Sequence, residues 1–419
     1  HGEFQLNAVF LVEDTPTICF VDGGHITDIS QIDALRQRLW NQNLASALLV
    51  LHAHELRAYS IPKWKKSQSY DSVPQEQAAI DGKWSAGEIQ SSELQQRLSD
   101  WFDPQLRVDR DLLRQLSVAV TQLTSGPIPP IARQLEAQML LAQVLFISYL
   151  EHRDIVGAEY RKQHSLETFH SLVKARNGAS IDALIKLLKR DFNGDFLEPS
   201  EISWASLNDR ALEIIEKLLS RVNLQTGQTD FWNYDFSQIP VELLSGIYET
   251  FLQDERKIDG AYYTPRMLAE LAVEEAFDGV DDPSQLRVYD GACGSGILLT
   301  TAYRKIIAYR EAAEQRALDI HERISLLQKT IFGGDINRIA CRVTAFSLYL
   351  CILERLSPPD LARLQRDHDC KLPRLIGTNI AEGGKRGDFF STDNPFSSAG
   401  NFDVVISNPP WRELRADEG

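Results

Sequence analysis

Apolar and polar positions follow three successive styles along the chain. Across residues 4–101, short apolar runs alternate with a single helical pattern. Residues 7–12 and 17–21 read as strands, and 29–40 set Ile32, Leu35 and Leu39 on one helix face. Residues 47–52 and 56–61 read as two more strands. The polar stretch 63–75, with Trp64 among Lys63, Lys65 and Lys66, reads as a solvated loop, a nucleic-acid patch being the sharper alternative. From residue 109 to about 252 the period is helical. Leu112, Leu113, Leu116 and Val120 share a face, and Gly126-Pro127-Ile128-Pro129-Pro130 breaks the chain. A long apolar helix is predicted at 135–150, with amphipathic segments at 181–189 and 212–219. From 259 on, helices and strands alternate: helix 265–276, strand 285–289, helix from 297, strand 331–333, helix 336–350 and strand 404–407. That alternation predicts a parallel sheet built from βαβ units. The expected domains are a small α/β domain over 1–105, a helical connector over 106–255 and an α/β core over 256–419.

A hydrophobic fraction of 43% and a charged fraction of 25% exclude disordered, collagen-like and membrane-spanning classes. The most apolar stretch, 137–150, is interrupted by Gln138 and Gln143 and is shorter than the ~18 residues a membrane span requires, so it reads as a buried helix. A net charge of −15 argues against a small, wholly basic nucleic-acid binder. It leaves room for an enzyme with a local basic groove, and predicts weak DNA binding that falls as salt rises. The five cysteines, Cys19, Cys293, Cys341, Cys351 and Cys370, have no paired C-x-x-C spacing; neither a metal site nor a disulfide framework is expected, which fits a reducing cytosol. The chain opens His1-Gly2-Glu3-Phe4, without Met or an apolar leader, and its first two residues read as a cloning remnant. Asp191-Phe192-Asn193-Gly194-Asp195 has the look of a calcium loop, but its glycine is misplaced for one, and a helix-exit turn is the better reading.

Three places carry chemistry. In Leu286-Arg287-Val288-Tyr289-Asp290-Gly291-Ala292-Cys293-Gly294-Ser295-Gly296-Ile297, a short strand ends in an acid and a glycine-rich turn enters a helix. Small residues there admit close backbone approach to a ligand, and a nucleotide-type cofactor fits the strand's C-terminal crevice; a bare strand-to-helix turn is the alternative. Phe332-Gly333-Gly334-Asp335 ends the next strand with an acid, suited either to ribose hydroxyls or to capping the following helix. Asp388, in Gly387-Asp388-Phe389-Phe390, is expected at a third strand end, or else in a surface turn. The sharpest signal is Val404-Val405-Ile406-Ser407-Asn408-Pro409-Pro410-Trp411. Two prolines fix the backbone and remove two N–H donors. The Asn408 carboxamide oxygen and the Pro409 carbonyl can accept both hydrogens of an –NH2 group, while Trp411 offers a flat face to a planar base. An exocyclic amine held that way is pyramidal and nucleophilic without a strong base. The alternative is a strand-ending turn with a core tryptophan.

Asp290-Gly291-Ala292-Cys293-Gly294-Ser295-Gly296 resembles the D-P-A-C-G-S-G motif of amino-group DNA methyltransferases, and Asn408-Pro409-Pro410-Trp411 resembles their N-P-P-[YFW] motif. Gly260-Ala261-Tyr262-Tyr263-Thr264-Pro265 is similar to the G-x-[YF]-Y-T-P segment that precedes the fold in that family. The order of the pieces is that of the γ class of adenine-N6 enzymes, as in type IIG and type I restriction–modification systems and related phage-defence enzymes. The resemblance extends back to about residue 110, through 138–154, Asn193-Gly194-Asp195-Phe196, 236–242 and 247–249. It implies a Rossmann-like core that uses S-adenosylmethionine. Tyr263, Thr264 and Pro265 would contact the cofactor's methionine end, and residues 290–296 would wrap it. Asp335, followed by Ile336, would bind the ribose, and Asp388 the adenine amine, with Phe389 alongside. Asn408, Pro409, Pro410 and Trp411 would hold the target adenine.

Three departures stand out. Gly291 replaces the family's proline, which is expected to loosen the turn without abolishing binding. The N-terminal domain, with Arg38-Leu39-Trp40-Asn41-Gln42-Asn43, resembles a nuclease scaffold, yet no D…[DE]-x-K set is present: Glu55-Leu56-Arg57 has Arg where Lys is needed. Cleavage is therefore not expected. The chain also stops shortly after Trp411 and reads as an N-terminal fragment without the rest of the core and a target-recognition domain. The resemblance thus implies adenine-N6 methylation of double-stranded DNA by the full-length protein, with restriction or defence subunits as partners, in a bacterial cytoplasm and away from membranes. The rivals are a protein glutamine-N5 methyltransferase and a non-catalytic DNA-binding scaffold that keeps the fold.

Overall fold

The computed structural model describes residues 6–12, 15–26, 28–43, 45–63, 70–74, 84–91, 93–126, 130–192, 203–229, 233–240, 264–354, 371–397 and 402–409, with short pieces in 243–247 and 356–364. Trp64, Lys65, Lys66, residues 193–196, 241–242, 248–249 and 260–263, Cys370, Pro410 and Trp411 lie outside the described residues. The chain forms two compact units, His1–Ala119 with Lys217–Pro240, and Val120–Glu216 with Val241–Gly419.

In the first unit, β1 (Ala8–Val12) and β2 (Thr15–Asp22) form an antiparallel hairpin. Helix α1 (Ile29–Asn41) crosses to β3 (Ala47–Leu51), parallel to β2, and β4 (Glu55–Ser60) and β5 (Tyr70–Pro74) follow antiparallel. The strand order is sequential, β1-β2-β3-β4-β5. Ala47, Leu48, Leu49 and Val50 are all at most 1% exposed, so β3 is covered on both faces and reads as a continuous apolar run. One face meets Trp84, Ile89 and Leu94 around α2 (Ala86–Gln90) and α3 (Glu93–Arg97). Helix α1 opens with a capping box between Asp28 and Gln31 and buries Ile32, Leu39 and Trp40. Its buried Arg36 donates to the carbonyls of Ser60 and Lys63, both at 2.8 Å. Helix α4 (Val108–Thr124) carries the buried Asp111, which accepts from Tyr234 Oη at 2.7 Å and from Arg221 at 3.0 Å. The Arg221 guanidinium in turn lies 4.0 Å from the Trp40 ring centre. The segment 217–240 is thereby tied to α1 and α4.

The second unit holds α5 (Gln134–His152), α6 (Ala158–Gln163), α7 (Phe169–Lys174), α8 (Gly178–Phe192) and α9 (Asp209–Leu219), whose last residues belong to the first unit. Every residue of α5 from Leu140 to Leu150 is buried. Its Gln143 stays satisfied there by accepting from Trp204 Nε1 at 3.2 Å. No helix among the described residues is long and apolar enough to cross a membrane. Then come α10 (Arg266–Ala276), β6 (Val288–Asp290), α11 (Ile297–Glu314), α12 (Ile320–Thr330), β7 (Ile331–Asp335), α13 (Arg338–Leu353), β8 (Ile380–Glu382), the single turn α14 (Gly384–Gly387) and β9 (Val404–Val405). All four strands are parallel, in the order β8-β7-β6-β9. The chain steps outward from β6 through β7 to β8, then returns to the far side of β6. The sheet therefore has a topological switch between β6 and β9, and in open parallel sheets the crevice at such a switch takes the ligand.

Several elements differ from the sequence expectations. The stretch read as a loop at 63–75 contains β5, a strand that pairs through its backbone with β4. Residues 285–287 stay outside the ladder because Pro283–Gln285 forms a 3-10 turn capped by Asp282. The helix expected from 297 ends at Glu314, where Gln315 takes a left-handed φ of 53°, and a second helix, α12, starts after Asp319 with a capping box. The third strand expected before Asp388 is β8, which lies further upstream at Ile380–Glu382. Asp388 does not end it: β8 ends at Glu382, and Asp388 follows α14.

Candidate active site at the sheet switch

Strands β6 and β7 set Asp290 and Asp335 at neighbouring C-terminal ends, Asp290 opposite Gly333. The loop between β6 and α11 turns tightly through Gly294 and Gly296, with φ of 53° and 81°, values that suit glycine. A β-carbon on Gly296 would stand 2.9 Å from Thr344 Cγ2, so α13 presses directly on the loop. Thr344 Oγ1 donates to the Gly294 carbonyl at 2.8 Å and Ser347 Oγ to the Ser295 carbonyl at 3.0 Å. Cys293 N donates to the Gly334 carbonyl at 3.0 Å. The Cys293 side chain is buried behind the loop, where the neighbouring Cys341 thiol and burial hold its pKa well above normal. A thiol in that state is a packing group rather than a nucleophile.

The two acids bind the loop from below. Asp290 Oδ1 accepts from Ala292 N at 3.1 Å and from Ser407 Oγ at 2.7 Å. Asp335 Oδ2 accepts from Gly294 N at 3.1 Å and Oδ1 from Asn337 N at 2.8 Å, so it supports the loop and starts α13 at once. Burial raises both carboxyls, Asp290 to about 7, and Asp335 adds to the rise at Asp290. A cleft floor that penalises carboxylate charge favours a cation nearby. Ile336, on the rim, is 66% exposed.

The turn 383–390 closes over this loop. A β-carbon at Gly387 would lie 1.9 Å from the Asp335 carbonyl oxygen, so only glycine lets the turn sit so close. Asn394, buried, donates to the Asp388 carbonyl at 3.0 Å and to Tyr289 Oη at 3.2 Å, fixing the turn to β6. Asp388 Oδ1 accepts from Phe390 N at 3.0 Å. The Phe389 ring stacks on Tyr289 at 5.9 Å and covers Gly291, where an added β-carbon would meet Phe389 Cδ2 at 2.4 Å. This gives Gly291 a different meaning from a loosened turn: the ring fills the space that a proline would need.

On the other side of β6, Ile406 N donates to the Tyr289 carbonyl at 3.0 Å, bringing Ser407 and Asn408 alongside the loop. Asn408 Nδ2 donates to Thr264 Oγ1 at 3.0 Å, just before Pro265 caps α10. Pro409 is exposed next to it. The described members of the anticipated set are thus gathered around one sheet end, while Tyr263, Pro410 and Trp411 are outside the described residues. Sequence reasoning missed Ser407, Thr344, Ser347 and Gly387. The available signals were the position of Ser407 before Asn408 and the spacing of Thr344 and Ser347, which places both on one helix face.

Residues 240–355 match the N-6 DNA Methylase family, and residues 329–418 match the Eco57I restriction-modification methylase family. The chain is 26% identical over 220 residues to the type I restriction enzyme MjaIX methylase subunit of Methanocaldococcus jannaschii, a span that is 50% of this chain and 31% of that protein. It is 24% identical over 384 residues to the type II restriction enzyme and methyltransferase RM.Eco57I of Escherichia coli, covering 79% of this chain and 35% of that protein. The chain therefore spans about a third of the length of these relatives. A type I restriction-modification methyltransferase subunit from Streptococcus thermophilus superposes with a TM-score of 0.40 at 17% identity, over 73% of this chain and 64% of that chain. Both family matches fall on the segment that holds the sheet switch, so residues 240–418 of this chain are similar to DNA methylase domains.

Proposed function

We propose that the protein to which this chain belongs methylates the N6 amine of an adenine flipped out of duplex DNA, in a restriction–modification or phage-defence setting in the cytoplasm. The observation that carries the reading is the placement of Asn408 and Pro409 beside the 290–296 loop, across the β6–β9 switch. A flipped base needs a pocket next to the methyl donor, and neighbouring strand ends supply one.

The residues present fit S-adenosylmethionine. The cradle is floored by Asp290 and Asp335, narrowed by Gly294 and Gly296, and rimmed by the exposed Ile336 and half-exposed Phe389. Each Asp335 oxygen has accepting capacity left beyond its single backbone partner, as ribose hydroxyls require. Asp388 and Phe389 are assigned to the adenine end, Thr264 and Pro265 with Tyr263 to the methionine end. When bound, the cofactor supplies a methyl group on a sulfonium. The chain's own part is orientation: the Asn408 oxygen and the Pro409 carbonyl accept the two N6 hydrogens, with Pro410 and Trp411 completing the base site. Such catalysis is chiefly positioning and electrostatics.

We read the remainder as a Rossmann-like core preceded by a helical connector and a nuclease-like α/β domain without a cleavage centre. Glu55 there is ion-paired to Arg57 two residues along the same strand, with Nε at 2.6 Å, which supports a structural role. DNA and restriction or defence subunits are the proposed partners. The matched N-6 DNA Methylase family and the restriction enzymes among the relatives favour a DNA base over protein glutamine as the acceptor, and the intact Asn408-Pro409-Pro410-Trp411 run favours an enzyme over a scaffold. The test is calorimetric titration with S-adenosylmethionine. Saturable binding by the chain, weakened at least about tenfold in Asp335→Ala, is expected, one hydrogen-bonding group contributing on that order. Binding that the substitution leaves untouched would overturn the cofactor assignment.

A further inference from the structure

We infer that Asn394, held by Tyr289, is a positioning residue that sets the preference of the cradle for a 6-amino purine, by fixing where the Asp388 carboxylate stands. The inference rests on the placing of S-adenosylmethionine in this cradle and deepens it. A purine with an amine at C6 offers hydrogens there, one with a carbonyl offers only an acceptor, and a carboxylate can only accept. Discrimination between them requires the carboxylate to be held in place, because a group free to swing away from the wrong partner rejects it weakly.

The turn that carries Asp388 is braced from both ends. Its near end is tied to β7, where Gly383 N donates to the Asp335 carbonyl at 2.9 Å. Asp388 Oδ1 accepts from Phe390 N at 3.0 Å, which ties the carboxyl to its own turn. The Asp388 carbonyl accepts from Ser391 N at 3.1 Å and from Asn394 Nδ2 at 3.0 Å. Asn394 Nδ2 also donates to Tyr289 Oη at 3.2 Å, and Asn394 Oδ1 accepts from Phe396 N at 2.8 Å. Both ends of the carboxamide are thus engaged, which selects one orientation, and at 2% exposure water competes little for these bonds. Tyr289 is equally buried on β6, and its ring stacks on Phe402 at 4.7 Å. A β-carbon at Gly334 would stand 3.2 Å from Tyr289 Oη, so β7 confines the phenol end as well. Asn394 therefore ties the far end of the turn to the strand that leads into the 290–296 loop.

The test compares, by calorimetric titration of the full protein, S-adenosylmethionine with its analogue carrying hypoxanthine in place of adenine. Wild type is expected to prefer the adenine form by about tenfold or more, and Asn394→Ala to bring the ratio to within about threefold of unity. Tyr289→Phe, which keeps the ring and removes the acceptor, is expected to lower the ratio about threefold, with no further loss when it is added to Asn394→Ala. Asn394→Ala weakening both molecules equally, with the ratio kept, would show a merely structural role and overturn the proposal. Should that variant fail to fold, Tyr289→Phe decides alone, and a ratio equal to wild type would sink the assignment. A wild-type protein that binds both molecules alike would overturn this proposal and leave the cofactor reading standing, whereas one that binds neither would overturn both. A readout without ligand is amide exchange at Phe390, expected to quicken about tenfold in Asn394→Ala as the turn opens more often. Unchanged exchange there would count against the brace and overturn it.

Discussion

Asp290 is 1% exposed, and a carboxyl removed from water so thoroughly keeps its proton up to about pH 7. Burial is the main cause; the bonds from Ser407 and Ala292 pull the other way, and the nearby Asp335 adds a smaller push upward. Unfolded, the same group would titrate near pH 4. The folded state therefore binds more protons than the unfolded state between these limits, and its stability falls as pH rises across them. The contribution is complete below about pH 4 and is lost as pH passes through about 7. Asp290→Asn keeps an oxygen to accept from Ser407 and cannot ionise. Chemical denaturation between pH 4 and 8 is expected to show a decline in wild-type stability that flattens in this variant. An equal decline in both proteins would place the titrating group elsewhere. The same charge logic predicts tighter binding of a cationic cofactor above pH 7, because ionised Asp290 then balances its charge.

At the scale of elements, α13 acts as the clamp on the glycine-rich loop. Its Thr344 and Ser347 hydroxyls donate to the carbonyls of Gly294 and Ser295, and both residues are at most 1% exposed. Thr344→Val leaves the Gly294 carbonyl without this donor in a place water reaches poorly, at a cost of about 1–3 kcal/mol. The expected outcome is a lower midpoint in urea together with weaker cofactor binding, while Val343→Ala on the same helix lowers the midpoint alone. These hydroxyls show why the sequence revealed the loop and not its support. Gly294, Gly296 and Pro409 are residue types whose backbone demands are local, so their order in the chain is enough to read them. A serine or threonine on a helix means something only once its partner is known, and Thr344 lies far along the chain from Gly294. The same limit hid β5, a short strand recognised by its backbone pairing with β4. It also moved Asp388 from a strand end to a turn, since Gly387 permits a contact with Asp335 that no local pattern encodes.

On the scale of the whole molecule, all the residues assigned to the cofactor fall in the second of the two units, and none in the five-stranded sheet. A ligand that binds only the folded form stabilises what it touches, by about 2.7 kcal/mol at a hundred times its dissociation constant. Hydrogen exchange should map that gain onto the chain. With saturating S-adenosylmethionine, slower exchange is expected at the 290–297 loop, at the start of α13 after Asp335 and in the turn through Asp388 and Phe389. These backbone amides already point to carboxylates and carbonyls within the cradle, as Gly294 N does to Asp335 and Ala292 N to Asp290. Opening the cradle must break such bonds, so a ligand that closes it slows their exchange. The amides of β2 and β3 in the first unit are expected to exchange at unchanged rates. Protection confined to β1–β5 instead would move the ligand to the N-terminal sheet and away from the β6–β9 switch. Protection in both units would mean that binding is felt across the molecule, and would make the N-terminal domain part of the response to cofactor.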